Sequence, residues 1–435
     1  MKTKKVLMVL GLAFVLLASF GCKSHNPAAI TPIQPPQQAQ SSTIQEPPSD
    51  GDNDFTFDVY HQVNTSSGNV FFSPFSLYDA LAMTYEGAKG QTAYQMAKVL
   101  YLQQDNATRW QSFASLIGEI NSPGKHYTLN TANNLWLEKI YTFSPGFLNT
   151  VETYYSATAT AMDFIYNPGS CLQTINNAVA NETAGNITNL LPPGSITSAT
   201  ALVLTNAIYF NATWAIPFDA NATTYNAFTT STGTVEQVST MHYTIPSNVE
   251  NYYGVAQAME LPYVNNEVSM FVFLPPAGSS AMASLDSCMT GAKMNAWLAA
   301  RPATVTSTAQ VVVSLPKFTI HATYNDMATT LSNMGMILPF TPAADFSGMS
   351  SIVNGNTSFY ISGVFHQAQV EVAEKGTEAS AATAVVVTVI AGCVSILPPV
   401  QYEYFTVNSP FIFMIRENTS NTILFIGKVN DPNAG

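Results

Sequence analysis

A thiol meeting an imidazole makes the simplest nucleophile and base couple, and Cys393 with His366 is a couple of that kind whose members would have to meet in space. Cys393, however, stands in a stretch flanked by Gly392 and Pro398, with no second base and no oxyanion donor in view. His25, His61, His126, His242 and His321 are scattered singly, and a lone histidine on an apolar segment is more often a hydrogen-bonded core residue than a catalyst. HExxH, GxSxG and glycine-rich phosphate loops do not occur in the sequence. Cys171, Cys288 and Cys393 lack the close spacing of a metal site or a disulfide framework. The residue types point away from an enzyme, and no metal or other cofactor is expected.

The most unusual stretch runs from Glu374 to Ala391. Gly376 permits a backbone hinge, and from Thr377 to Ala391 there is no Pro or Gly and a single charge, Glu378. Small residues there give way to β-branched ones. With a period of two, Thr377, Ala379, Ala381, Thr383 and Val385 share one face, while Glu378, Ser380, Ala382, Ala384 and Val386 share the other. Such a strand could enter the middle of a sheet without burying an unpaired charge. An ordinary core strand shows the same alternation. The length of the run, its Ala-rich start of weak β-propensity, and the Gly392-Cys393 and Pro398-Pro399 that follow set it apart.

The elements that must carry this segment mix two periods. Ser73-Pro74 followed by Leu77, Ala80, Leu81 and Thr84 is a capped helix start, and Asp326 to Met336 is a second helix closed near Gly335 and Pro339. Strands are expected over Thr200 to Phe210, Ser269 to Leu274, Gln310 to Leu315, Gln369 to Val372, Phe411 to Ile415 and Thr422 to Val429. They interleave with helices without a regular βαβ rhythm, which favours an α+β fold. Hydrophobic residues at 47% and charged residues at 10% exclude a disordered chain, and the net charge of −12 excludes a nucleic-acid surface.

The N-terminus speaks to location. Lys2, Lys4 and Lys5 precede an uncharged apolar run from Val6 to Phe20, too short to span a bilayer and shaped like a signal peptide over residues 1–21. Leu17 to Cys22 resembles a lipobox, so lipidation of Cys22 is expected; an ordinary secretory signal is the alternative, and both export the protein. Loss of the three lysines takes the net charge from −12 to −15. Residues 22–53, rich in Pro, Gln, Ser and Asn, read as a flexible linker from the lipid to a body over 54–435.

Within that body the chain resembles a serpin. Asn69 to Ser76, Tyr85 to Thr92, Leu204 to Phe218, Leu315-Pro-Lys-Phe318, Leu331 to Gly335, Ala344 to Gly348, Phe365 to Ala368, Glu374 to Ala379, Ser409 to Phe411 and Phe425 to Val429 occur in the family's order and spacing. Each motif is weak alone and the ordered set is specific. The resemblance implies three β-sheets, about nine helices and an exposed reactive-centre loop. It implies suicide inhibition: a serine protease acylates itself on the loop, and the loop then enters the main sheet and distorts the enzyme. Glu374, Gly376, Thr377, Ala379, Ser380, Ala381 and Ala382 fit the hinge of inhibitory members. Ser73, Ser76, Asn206 and His366 fall on the family's shutter positions, and Trp214 on its breach.

Seventeen residues from Glu374 place the specificity residue at Ile390 and the reactive bond before Ala391; alignment from the C-terminal side gives Cys393-Val394 instead. Either side chain is uncharged, which suits elastase-like or subtilisin-like targets. A heparin-type cofactor is not expected, because Ala88 to Ile120 carries no basic cluster. A monomer is expected, whose partners are the target protease that the resemblance implies and, through the lipobox at Cys22, the outer face of a prokaryotic cell membrane. The rival expectation is a non-inhibitory serpin acting as a surface binding protein.

Overall fold

The computed structural model describes residues 48–64, 68–278, 280–301, 310–351, 359–377 and 402–434. Nine α-helices occur among them: α1 (Pro48–Val63), α2 (Pro74–Tyr85), α3 (Gly90–Val99), α4 (Asn106–Ile120), α5 (Pro145–Tyr155), α6 (Pro168–Glu182), α7 (Ala281–Cys288), α8 (Gly291–Ala300) and α9 (Met327–Asn333). Their starts are written in capping chemistry. Ser73 and Ser144 accept backbone N–H groups of Ser76 and Phe147 while Pro74 and Pro145 open the helices they cap. Asp105 and Asp326 cap α4 and α9 in the same way. Gly335 follows α9 with a positive φ of 110°, and the Met336 N–H returns to the Leu331 carbonyl, which closes the helix.

The strands are β1 (Val70–Phe72), β2 (Tyr127–Glu138), β3 (Thr142–Phe143), β4 (Thr158–Met162), β5 (Leu202–Thr213) and β6 (Thr224–Thr229). Then come β7 (Val235–Pro246), β8 (Glu250–Tyr252), β9 (Ala256–Pro262), β10 (Val268–Leu274), β11 (Gln310–Pro316) and β12 (Phe318–Tyr324). The last six are β13 (Ser350–Ser351), β14 (Ile361–Ala373), β15 (Gly376–Thr377), β16 (Tyr402–Thr406), β17 (Phe411–Glu417) and β18 (Ile423–Val429). They build three large sheets: β12-β14-β15-β5-β2-β4, β1-β18-β17-β10-β9-β8 and β16-β11-β7-β6. A small β13-β3 pair completes the set.

The first of these, the main sheet, carries core residues on both faces of its central strand β5, which is buried along most of its length. Alternate residues of β5 divide between two cores: Leu202, Leu204 and Ile208 join the large one, and Val203 and Ala207 join a smaller one with Trp136, Ile175 and Val179 under α6. Helix α2 is buried from Pro74 to Thr84 and packs against β2, β5 and β18, between two sheets.

Three sequence boundaries move. The linker expected over 22–53 ends sooner: α1 begins at Pro48, and Asp52 and Asn53 are fully buried. The strand expected over Gln369 to Val372 is the last part of a much longer β14, whose Gly363, His366 and Gln367 dilute its apolar pattern. The strand expected over Thr200 to Phe210 runs from Leu202 to Thr213.

Candidate functional site

Two strands of the main sheet, β5 and β14, lie parallel from Leu202–Ile361 to Ile208–Ala368. All other neighbours of these two strands in the sheet are antiparallel. This parallel pair is a seam in the sheet at which a strand antiparallel to both neighbours would exchange one parallel ladder for two antiparallel ones.

Across this seam the side chains of Ser73, Ser76, Asn206 and His366 meet. Register places His366 beside Asn206 and Asn206 beside Asn133, so the strands set a polar row, and α2 presents Ser73, Ser76 and Asp79 beneath it at three-residue spacing. The Ser73 N–H donates to His366 Nε2 at 3.1 Å, which fixes the proton on Nδ1, and that N–H donates to Asn206 Oδ1. Asn206 Nδ2 donates to Ser76 Oγ at 2.5 Å and to Asn133 Oδ1 at 2.7 Å. Ser76 Oγ donates to Asn133 Oδ1 at 2.9 Å, and Asn133 Nδ2 donates to Asp79 Oδ2 at 2.9 Å. Ser73 Oγ donates to the Leu424 carbonyl at 2.7 Å, tying the row to β18 of the second sheet.

Every member is buried. Burial lowers the His366 pKa to about 3 and raises that of Asp79 to about 7, so both groups favour their neutral forms. With one imidazole nitrogen accepting from the Ser73 N–H and the other donating to Asn206, both ring nitrogens of His366 are engaged. The His366–Asn206 bond ties β14 to β5 across the seam. Asn133 and Asp79 belong to this network and were not singled out from sequence, because cross-strand register carries no signal in a period-two pattern.

At the other end of the seam β14 and β5 separate, and β15 lies between them. Val372 pairs with Thr377 and Ala373 with Gly376 on one side; Thr213 pairs with Gly376 and Ala212 with Thr377 on the other, all antiparallel. A Cβ on residue 376 would lie 2.0 Å from the Ala212 carbonyl oxygen, so the close approach requires glycine. Glu374 accepts a salt bridge from Lys317 at 2.9 Å and a hydrogen bond from Thr223 at 2.9 Å, partners that hold its carboxyl below the usual range against the opposing effect of burial. The Trp214 N–H donates to the Lys375 carbonyl at 3.0 Å and its Nε1–H to the Ala373 carbonyl at 2.9 Å. Thr377 is buried, its Oγ1 2.6 Å from the Tyr263 hydroxyl. The structure therefore gathers Trp214, Glu374, Gly376 and Thr377, and adds Lys317, Thr223 and Tyr263. Of these additions, Lys317 lay within a recognised motif without an assigned partner, and Tyr263 carried no periodic signal.

Ala379, Ser380, Ala381 and Ala382 of the hinge, both candidate reactive bonds (Ile390-Ala391 and Cys393-Val394), and Cys22 lie outside the described residues.

The fold and site define an α+β protein whose main sheet parts at its centre to admit the short strand β15 between β5 and β14. A family model described as Serpin (serine protease inhibitor) matches residues 50–432, and the chain belongs to the serpin family. An uncharacterized serpin-like protein of Methanosarcina acetivorans is 36% identical over 385 residues, covering 87% of this chain and 85% of the relative. The leukocyte elastase inhibitor of Xenopus laevis is 36% identical over 387 residues, 87% of this chain and 97% of the inhibitor. Among solved structures, human thyroxine-binding globulin superposes with a TM-score of 0.75 at 28% identity, over 88% of this chain and 98% of its own. The serpin fold, α+β with three large sheets, is thus established, and the family is one of protease inhibitors rather than enzymes.

Proposed function

We propose that the protein is a suicide-substrate inhibitor of serine endopeptidases, exported and held as a monomer at the outer face of the cell by a lipid on Cys22. The observation that carries this reading is the seating of Gly376 and Thr377 between β5 and β14, antiparallel to both. The protease serine Oγ attacks the Ile390 carbonyl carbon. A serine–acyl bond forms, the Ile390–Ala391 peptide bond breaks, and the released Ala391 nitrogen takes up the proton that the serine gave up. The freed arm, with hinge residues Gly376, Thr377 and Ala379 to Ala382, then extends β15 down the seam and carries the acylated protease with it. Small uncharged residues let it pass between packed strands, and the exchange of one parallel ladder for two antiparallel ladders drives the step. Ser73, Ser76, Asn206 and His366 hold the seam shut until then, and Trp214 supports its upper end.

An uncharged Ile390 favours proteases with apolar or small specificity pockets, elastase-like or subtilisin-like. Similarity to an elastase inhibitor accords with that preference. The test is to mix the protein with such a protease and resolve the mixture on denaturing gels, with mass spectrometry of the released C-terminal peptide. A complex of the summed mass and a peptide beginning at Ala391 are expected; a peptide beginning at Val394 would move the bond to Cys393. Clean cleavage without complex across several proteases would reject the inhibitor in favour of a binding serpin.

A further inference from the structure

A serpin that traps its target must insert its loop before the acyl-enzyme hydrolyses, so the first residues to enter the seam decide the outcome. Backbone pairing of Gly376 and Thr377 alone is a thin hold, two residues against each neighbour. The side chain of Thr377 adds the rest. Its Oγ1 meets the Tyr263 hydroxyl at 2.6 Å, and both residues are 1% exposed. Tyr263 does not depend on the loop for its place. Its ring stacks on Trp214 with centroids 4.3 Å apart, meets Phe210 edge-on at 5.5 Å, and its backbone bridges to Trp214 directly after β9 of the second sheet. Among the described residues no other hydrogen bond reaches the Tyr263 hydroxyl. Withdrawal of Thr377 would therefore leave a buried hydroxyl without a partner, and a return to the seam restores it.

We infer that Tyr263 is a positioning residue for loop insertion: its hydroxyl holds Thr377 in register at the mouth of the seam, so that insertion starts as propagation of an existing strand. The contact stays in place as the strand lengthens, so it favours insertion without opposing it. This inference rests on the inhibitory reading above, and the test separates the two.

The variants Tyr263→Phe and Thr377→Val each remove the bond while keeping the ring or the side-chain shape, and Thr377→Ser keeps the hydroxyl. With an elastase-like protease and the whole chain, both bond-deleting variants should slow insertion about three- to tenfold. They should raise the number of inhibitor molecules consumed per protease trapped, with the rate of initial protease association unchanged. The double variant should be no worse than either single one, and Thr377→Ser should behave as the parent. Variants that trap with the parent's rate and stoichiometry would overturn the assignment, whatever happens to their thermal stability, and so would additive losses in the double variant. Should the parent trap no protease, the inhibitory reading fails by itself. The loop is then nicked with a non-target metalloprotease and the gain in thermal stability followed in time: slower gain in both variants supports the role of Tyr263, and equal gain rejects it.

Discussion

His366 and Asp79 stand near opposite ends of one hydrogen-bonded row, and burial shifts their proton equilibria in opposite directions. The histidine, ordinarily near 6.5 and here about 3, stays neutral in the fold while the unfolded chain takes up a proton below pH 6.5. Its contribution is present above that pH and is lost as pH falls toward 3. The aspartic acid, ordinarily 3.8 and here about 7, keeps its proton in the fold while the unfolded chain has released it. Its contribution is present below 3.8 and is lost as pH rises through 7. Between about pH 4 and 6.5 the two trends oppose each other. Asp79 is packed close to more acid than base: Asp52 of α1 is also buried, with its carboxyl raised by burial and by Asp79, and Tyr78 and Tyr155 lie nearby, while Arg109 is engaged by Glu86. Asp79→Asn keeps an acceptor for Asn133 and removes the ionisable group. It should stabilise the protein by about 2–4 kcal/mol at pH 8 and change little at pH 4, read from urea midpoints at the two values. An equal shift at both would show that Asp79 is not the titrating group. Ser73, Ser76, Asn206 and His366 were legible in the sequence through ordered motifs, whereas Asn133 and Asp79 became visible only when strand register and helix spacing brought them together.

The elements that matter most are β14, β15 and β5. Gly376 sits where a side chain would strike the Ala212 carbonyl, so Gly376→Ala should expel the start of the loop from the sheet. The expected result is protease cleavage with much less covalent complex, seen as a shift from the high-mass band to the cleaved inhibitor on a denaturing gel. A variant that traps as well as the parent would sink the idea that pre-seating of the loop matters. Loop cleavage without a protease attached provides the second element-scale test. About ten new backbone hydrogen bonds at about 1 kcal/mol each should raise the unfolding temperature by about 10 °C, and calorimetry before and after nicking measures it. An unchanged transition would mean the seam does not open. Strands such as β10 and β17 were readable because every residue in them is buried. The long β14 was readable only at its C-terminal end, since Ser362, Gly363, His366 and Gln367 break the apolar pattern before it.

At the scale of the whole molecule, the sequence marked a polar stretch before the body but set its end too late. Pro48 to Asn53 is polar in composition, yet it forms the first turns of α1, in which Asp52 and Asn53 are fully buried. Composition cannot register that, because Asn53 is buried as a hydrogen-bonding hub: its Nδ2 donates to Asn295 Oδ1 at 2.8 Å and to the Asn421 carbonyl at 3.2 Å. These bonds fasten the start of the body to α8 and to the turn between β17 and β18, two segments more than 240 residues away in sequence. A chain beginning at Asp54 would leave Asn295 and the Asn421 carbonyl short of a donor and remove the first turns of the helix. Its urea midpoint should fall below that of a chain beginning at Glu46 by the equivalent of about 2–4 kcal/mol. Equal midpoints would return Pro48 to Asn53 to the linker; the expected loss makes them part of the frame on which the second sheet, and through Ser73 and Leu424 the row across the seam, is held.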